Sequence, residues 1–333
     1  MVTIQEVAKE AGVSVATVSR VLNKSSSVSE KKRIIVENVI SKLNYEPNML
    51  GRNLRNSKSR MILAIMPSIS NAFYAKIVQG IEDCCKKHNY SVLLCNTESD
   101  YEKENNYVNL LRQKLADGVI WMDHTTNTEF LNEIGSRYSI VQCSEFNQDA
   151  RLPYVSIDNV TAAYDAVRYL ISIGHKKIAL INIDEKFTYA KLRKEGYVNA
   201  LKEFNIPVKS EWIVNSDLDF NDGKNAMKYL LSLKDRPTAV FAVSDILAIG
   251  ALKAINEENT STNSNIAVVG FDNIQFANMT NPTLTTIDQP MYKLGYEAAS
   301  MLLKVLDNKD TKIENIILEH QLIIRESTNG TTI

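Results

Sequence analysis

From Met61 onward the chain alternates short apolar runs with amphipathic stretches, and this rhythm restricts its fold more than any other feature. MILAIM (61–66), SVLLCN (91–96), GVIWM (118–122) and SIVQC (139–143) read as buried strands, with helical patterns over 73–87 and 102–115 between them. The same rhythm resumes with IALINI (178–183), TAVFAV (238–243) and NIAVVGF (265–271), separated by helical stretches near 161–173, 191–204, 221–233 and 245–258. Strand–helix alternation implies parallel sheets with helices on both faces. Within 333 residues, two such halves fit the length better than one sheet.

The first 45 residues follow a different rule. Thr3-Ile4-Gln5-Glu6 has the spacing of a capping box and opens a helix whose apolar face is Ile4, Val7, Ala8 and Ala11. Gly12 supplies a tight turn of the kind that needs positive φ. Ser14 is placed to cap a second helix facing Val18, Val21 and Leu22 inward, and Ser29 a third carrying Ile35, Val36, Val39, Ile40 and Leu43. Two short helices joined by a Gly-containing turn are a helix-turn-helix pattern. The outer face of the second helix carries Val15, Ala16, Thr17, Ser19, Arg20 and Asn23, short or hydrogen-bonding side chains suited to a DNA groove; a face built for solubility would carry more Glu and Lys.

Charge agrees with that division. Residues 1–60 hold eleven Lys/Arg against five Glu, a net +6, whereas the whole chain carries −1 and the remainder therefore −7. A basic head on an acidic body fits a polyanion-binding module joined to a domain that avoids polyanions. No apolar run approaches a membrane span, and MVTIQEVAKE lacks the apolar core of a signal peptide, so a cytoplasmic location is expected. The four cysteines, at 84, 85, 95 and 143, show neither C-x-x-C spacing nor partner histidines, which points to buried reduced thiols and to no metal or other cofactor. The α/β pattern carries no G-x-G-x-x-G, no G-x-x-x-x-G-K-[ST] and no G-x-S-x-G, and the histidines are scattered; no catalytic constellation is visible, and the chain reads as a non-enzyme.

The segment TIQEVAKEAGVSVATVSRVLN (3–23) resembles the DNA-binding head of the lac-repressor-type (LacI/GalR) transcription regulators. NYEPNMLGRNLRNSKSRMILAIMP (44–67) resembles the hinge and first core strand of the same family. Similarity continues through NAFYAKIVQGIED (71–83), SIDNVTAAYDAVRYLISIGHKKIALI (156–181), AVFAVSDILAIGAL (239–252), VVGFDNI (268–274) and NPTLTTIDQPMYKLGYEAA (281–299). SIDNVTAAYDAV and the GRN of the hinge are most similar to the cytidine-repressor branch. The resemblance implies a helix-turn-helix head (1–45), a hinge (46–59) and a periplasmic-binding-protein-like core (60–333) of two Rossmann-like subdomains. Crossings near 158–161, 288–292 and 320–324 would divide that core into about 60–158 with 292–320, and 161–288 with 324–333.

By the family pattern, Val15, Ala16 and Arg20 reach base edges in the major groove. Arg20 is the natural bidentate partner for guanine, and Val15 and Ala16 make apolar contacts, for instance to a thymine methyl. Thr17, Ser19, Asn23 and Ser29 fall to phosphates, and Thr3 and Ser14 complete the DNA-facing set of the head. The segment matching Asn48 to Asn56 is expected to become a helix on operator DNA, pairing with its dimer mate in the minor groove. Leu54 would wedge between base pairs there, with Arg52 and Arg55 against phosphates or the groove. Gly51 would weaken that helix by about 1 kcal/mol relative to Ala.

Ligands of open α/β sheets bind beyond the carboxyl ends of strands. Phe73 and Tyr74 follow the first strand and offer aromatic faces to a ring. Asp158, Asp245 and Asp272 follow later strands and can accept from sugar hydroxyls, while Arg193 supplies a fork of donors. Together these are the expected effector-binding residues. KFTYA (186–190) lacks a second arginine that some purine-binding relatives carry, and Leu218 stands where several place an aromatic, so the pattern leans toward a sugar or nucleoside other than a purine.

The resulting expectation is a ligand-controlled repressor bound as a homodimer to a pseudo-palindromic double-stranded operator, with no membrane partner. The competing readings are a periplasmic-type sugar-binding protein, a sugar-responsive activator and a sugar-processing enzyme. The first predicts a signal peptide and no basic head. The enzyme would need an acid–base or nucleophile constellation.

Overall fold

The computed structural model describes residues 2–22, 25–45, 58–123, 127–258, 266–308 and 314–328. Two compact units emerge, Met1–Ser59 and Arg60–Ile333. The hinge positions Asn48, Gly51, Arg52, Leu54 and Arg55, together with Asn23, lie outside the described residues.

In the first unit, α1 (Ile4–Glu10), α2 (Val15–Leu22) and α3 (Glu30–Lys42) surround a core of Val7, Ala8, Val18, Val21, Val28, Val36 and Tyr45. The capping box forms: Thr3 N–H donates to Glu6 Oε2 (2.8 Å) and Glu6 N–H to Thr3 Oγ1 (3.3 Å). Gly12 turns the chain at φ +63°. Ser14 Oγ accepts from Thr17 N–H at 3.2 Å, capping α2. Two expectations fail here. Ser29 stands at the start of α3 but its hydroxyl makes no capping bond, and Ile35 faces outward beside Ile34, 40% and 51% exposed. The small core is already filled by Val36, Val39 and Ile40 from the opposite side of that helix.

The second unit is built on two six-stranded sheets. The first contains β1 (Met61–Met66), β2 (Ser91–Asn96), β3 (Gly118–Trp121), β4 (Ser139–Cys143), β5 (Tyr154–Ile157) and β11 (Ile316–Leu318), ordered β11-β5-β4-β3-β1-β2 and parallel throughout. The second contains β6 (Ile178–Asn182), β7 (Ile213–Asn215), β8 (Ala239–Ala242), β9 (Ala267–Asp272), β10 (Thr285–Asp288) and β12 (Gln321–Ile323), ordered β12-β10-β9-β8-β6-β7. Only β12 runs antiparallel to its neighbour. The central strands are buried on both faces, which explains their continuous apolar runs.

Helices α4 (Ala72–Lys87), α5 (Tyr101–Arg112), α6 (Thr128–Arg137) and α11 (Met291–Asp307) accompany the first sheet. Helices α7 (Asn159–Ser172), α8 (Thr188–Glu203), α9 (Phe220–Ser232) and α10 (Asp245–Glu257) accompany the second. The chain therefore passes between sheets three times: after β5 at Asp158, after β10 at Gln289–Pro290, and between β11 and β12 at Glu319–His320. In both sheets the order reverses beside the first strand, β1 or β6, and the crevice at such a reversal is where ligands bind in this architecture. All four cysteines are free and buried. Among the described residues no helix is long and apolar enough to cross a membrane, and no three His, Cys, Asp or Glu gather as metal ligands.

Candidate effector cleft and nucleic-acid-binding head

On the head, α2 turns Val18 and Val21 into the core, which leaves Ala16 and Arg20 exposed and Thr17 and Ser19 half-buried. Among the described residues the Arg20 guanidinium has no ion-pair partner, so its donors are available. Thr3, Ser14 and Ser29 are exposed on the same unit. Thr17 Oγ1 is 2.9 Å from Ser14 Oγ, so both hydroxyls serve the turn as well as the surface. Val15 departs from expectation: it is half-buried and packs on the core of the head, which leaves less of it for a base. A Lys42–Glu10 ion pair, 2.8 Å, ties α3 to α1.

In the second unit, the carboxyl ends of both sheets converge on one cavity lined by Asn71, Phe73, Tyr74 and Glu145 from one side and Tyr189, Arg193, Leu218, Ser244 and Asp272 from the other. It encloses about 30 Å³. Of the expected residues, Phe73, Tyr74, Arg193 and Asp272 meet here. Asn71 caps α4 by accepting from Phe73 N–H (3.0 Å), which fixes the aromatic pair at the helix start. Phe73 and Tyr74 stand edge to face, their centroids 5.3 Å apart.

Arg193 is only 3% exposed. Its Nε donates to Asn159 Oδ1 (2.9 Å) and Nη1 to the Val243 carbonyl (2.6 Å), with Asp272 Oδ1 3.6 Å from Nη1. The guanidinium sits over the Phe271 ring at 3.6 Å and the Tyr189 ring at 4.8 Å. Asp272 adopts φ +119°, a conformation costly for any residue with a Cβ and found where the surroundings over-determine it. Gln289 supplies part of that constraint, donating from Nε2 to Asp272 Oδ1 at 2.7 Å. Burial pushes the Asp272 carboxyl up to about 6, with Arg193 and the Gln289 hydrogen bond pulling the other way.

Two expected contacts move elsewhere. Asp158 is exposed and caps α7, accepting from Thr161 N–H (3.0 Å) and Thr161 Oγ1–H (2.6 Å); its neighbour Asn159 is the residue that reaches the site, through Arg193. Asp245 is wholly buried beneath the cavity, accepting from Ile274 N–H (2.8 Å) and Thr286 Oγ1–H (2.5 Å), while Ser244 caps α10 and lines the cleft. A strand-end aspartate has two directions open to it, and here the backbone of the β9–β10 loop takes this one.

Glu145, Tyr189, Ser244 and Asn71 were not among the expected residues. Glu145 was within reach of the same strand-end rule, since it lies two residues past β4. It is 6% exposed, and burial pushes its carboxyl up to about 8, Arg193 opposing and Asp272 and Asp123 reinforcing the rise. The Tyr189 backbone N–H, in the first turn of α8, also opposes the rise. Burial also raises the Tyr74 and Tyr189 hydroxyls, so both stay protonated and able to donate.

The geometry has counterparts among known proteins. The description "Bacterial regulatory proteins, lacI family" matches residues 3–48, and "Periplasmic binding proteins and sugar binding domain of LacI family" matches residues 59–326. The HTH-type transcriptional regulator RegA of Clostridium saccharobutylicum is 37% identical over 98% of this chain and 99% of its own length. The HTH-type transcriptional repressor CytR of Escherichia coli K12 is 36% identical over 98% of this chain and 96% of its own. The crystal structure of the lac repressor dimer bound to operator and the anti-inducer ONPF superposes with a TM-score of 0.88 at 27% identity, covering 98% of this chain and 99% of that one. This protein belongs to the LacI family of bacterial regulatory proteins.

Proposed function

We propose that this protein is a ligand-responsive transcriptional repressor that binds a pseudo-palindromic operator as a homodimer and answers to a small sugar or nucleoside. The observation that carries the reading is the union, in one chain, of a basic helix-turn-helix head with an exposed Arg20 and a buried polar cleft between two α/β sheets. The lac repressor, which superposes along nearly the whole chain, binds operator as a dimer. Two-fold protein symmetry is matched by two-fold operator symmetry.

In the head, Arg20 reads a guanine while Ala16 and the exposed edge of Val15 touch apolar base surface. Thr3, Ser14, Thr17, Ser19, Asn23 and Ser29 hold phosphates, and Asn48, Arg52, Leu54 and Arg55 of the hinge enter the minor groove. In the core, Phe73 and Tyr74 stack on the ring and Arg193 and Asp272 hold its hydroxyls.

A cavity of about 30 Å³ is far below the several hundred Å³ of a ligand pocket. Entry of a sugar therefore requires the two sheets to part. The site is braced on two of the three crossings, Arg193 through Asn159 and Asp272 through Gln289, so a ligand that displaces either side chain bears directly on the chain segments about which the halves move. Ligand and operator affinities are then linked reciprocally, typically by about 1–3 kcal/mol.

Selection of bound sites from random duplex DNA tests the proposal. The expected product is a two-fold related sequence for which the logarithm of affinity falls linearly with the logarithm of salt concentration, with a slope of about −0.9 per phosphate contact. A flat salt response, or a consensus without two-fold symmetry, refutes it.

A further inference from the structure

We infer that Asn273, which does not line the cavity, is a positioning residue of the cleft, taken here as the effector site: it fixes the backbone of Asp272 and, through Arg325, ties that carboxylate to the third crossing. All three crossings then meet at one turn.

The turn is Asp272–Asn273, two consecutive non-glycine residues at φ +119° and +59°. Asparagine tolerates the left-handed region, but the Asp272 conformation persists only where its surroundings hold it. Gln289 Nε2 donates to Asp272 Oδ1 (2.7 Å), and on the far side of the turn Ile274 N–H donates to Asp245 Oδ2 (2.8 Å). Between them the Asn273 amide uses both its ends. Nδ2 donates to Asp288 Oδ1 (2.7 Å) and Oδ1 accepts from Arg325 Nη2 (2.7 Å). Arg325 is itself held, its Nη1 donating to the Leu284 carbonyl (2.7 Å) and its backbone N–H to Thr285 Oγ1 (2.8 Å).

Position in the sheet gives these bonds their reach. Asp272 lies opposite Asp288 in the β9–β10 ladder, and Asp288 lies opposite Gln321 in the β10–β12 ladder. Asp288 and Gln289 lead into the second crossing and Gln321 follows the third, so these two crossings pass side by side next to the turn. The first crossing joins from the cavity side, where Asp272 Oδ1 stands 3.6 Å from Arg193 Nη1 and Arg193 Nε donates to Asn159 Oδ1 (2.9 Å). A ligand hydroxyl that draws Asp272 away from Gln289 therefore acts on a strained turn, and the three crossings respond together rather than singly. Coupling between sites travels through hydrogen-bonded elements of this kind when they have two discrete arrangements.

Hydrogen exchange of the full-length protein, read by mass spectrometry without ligand, tests this. Asn273→Gly accommodates the left-handed backbone and removes both side-chain bonds; Arg325→Gln removes the guanidinium that Asn273 meets. In each variant residues 156–162, which reach the turn through Arg193, should exchange at least about fivefold faster than in the wild type, the effect of losing one hydrogen bond of average strength. Strands β1 and β2 should keep their wild-type rates. Acceleration confined to residues 272–289 marks a merely local role and overturns the inference, as does an equal acceleration of β1 and β2, which marks general destabilisation. Should Arg325→Gln not fold, Asn273→Gly decides alone. Operator affinity of the wild-type protein reports separately on the regulator reading.

Discussion

Arg193 sits over Phe271, its guanidinium carbon 3.6 Å from the ring centroid, and so the strand that ends in Asp272 also supplies the platform for that aspartate's cationic neighbour. Planarity matters as much as charge in such a setting. Lysine cannot stack on the ring, nor reach Asn159 and the Val243 carbonyl at once. Arg193→Lys should therefore lower stability by about 1–3 kcal/mol through newly unpaired buried acceptors and weaken effector binding at least tenfold (about 1.4 kcal/mol). Urea denaturation and calorimetry would read the two effects. A variant with unaltered ligand affinity would remove Arg193 from the site.

Glu145 provides a pH signature. Its carboxyl is raised from 4.5 to about 8, so between those values the folded protein holds a proton that the unfolded chain has released. Stability from this group is fully present below about pH 4.5 and is lost as pH rises to about 8, with a slope of up to about 1.4 kcal/mol per unit. Asp272, raised to about 6, adds a slope of the same sign at the lower end of the window. Denaturation midpoints across this range should fall with pH in the wild type and fall less in Glu145→Gln. Identical profiles would contradict the buried, protonated state of Glu145.

In the head, Arg20 is exposed and is the one charged side chain of α2. Arg20→Ala should relax preference at one base position in each half-site by about 1–3 kcal/mol, leaving affinity for random DNA little changed. Binding measured against a panel of single-base operator variants checks this. Equal losses on operator and random duplex would make Arg20 a phosphate contact.

Long apolar runs made the central strands readable, because strands buried on both faces tolerate little else. The strands absent from the sequence reading are β5, β7, β10, β11 and β12, three or four residues each. TTID in β10 looks polar, yet Thr285 and Thr286 are buried with their hydroxyls bonded to Thr328 and Asp245. Pattern cannot see such pairing, since the partners lie about forty residues apart. The site shows the same limit. That something polar follows each strand was legible; which way Asp245 or Asp158 turned was not, being decided by Ile274, Thr286 and Thr161. Ile35 fails for a further reason: α3 offers more apolar residues than a three-helix core can cover.

The close approach of α4 and α11 carries the last prediction. A Cβ on Gly295 would overlap the Ile77 carbonyl, and one on Gly80 the Tyr292 carbonyl, so each helix lets the other's backbone in at its glycine. On propensity alone Gly295→Ala should stabilise α11 by about 1 kcal/mol. Contact with rigid backbone opposes this: the helices must separate, and overpacking of this kind costs about 1–3 kcal/mol or more. A net loss of stability is expected. The consequence should extend to the cleft, because α11 begins directly after Gln289, whose side chain holds Asp272 at 2.7 Å. Gly295→Ala should thus weaken ligand binding without touching any cavity residue, and Gly12→Ala, in the head and facing open space at φ +63°, should destabilise without that effect. Denaturation and ligand titration of both variants separate the cases; a Gly295→Ala protein more stable than wild type would show that the helices are not interlocked.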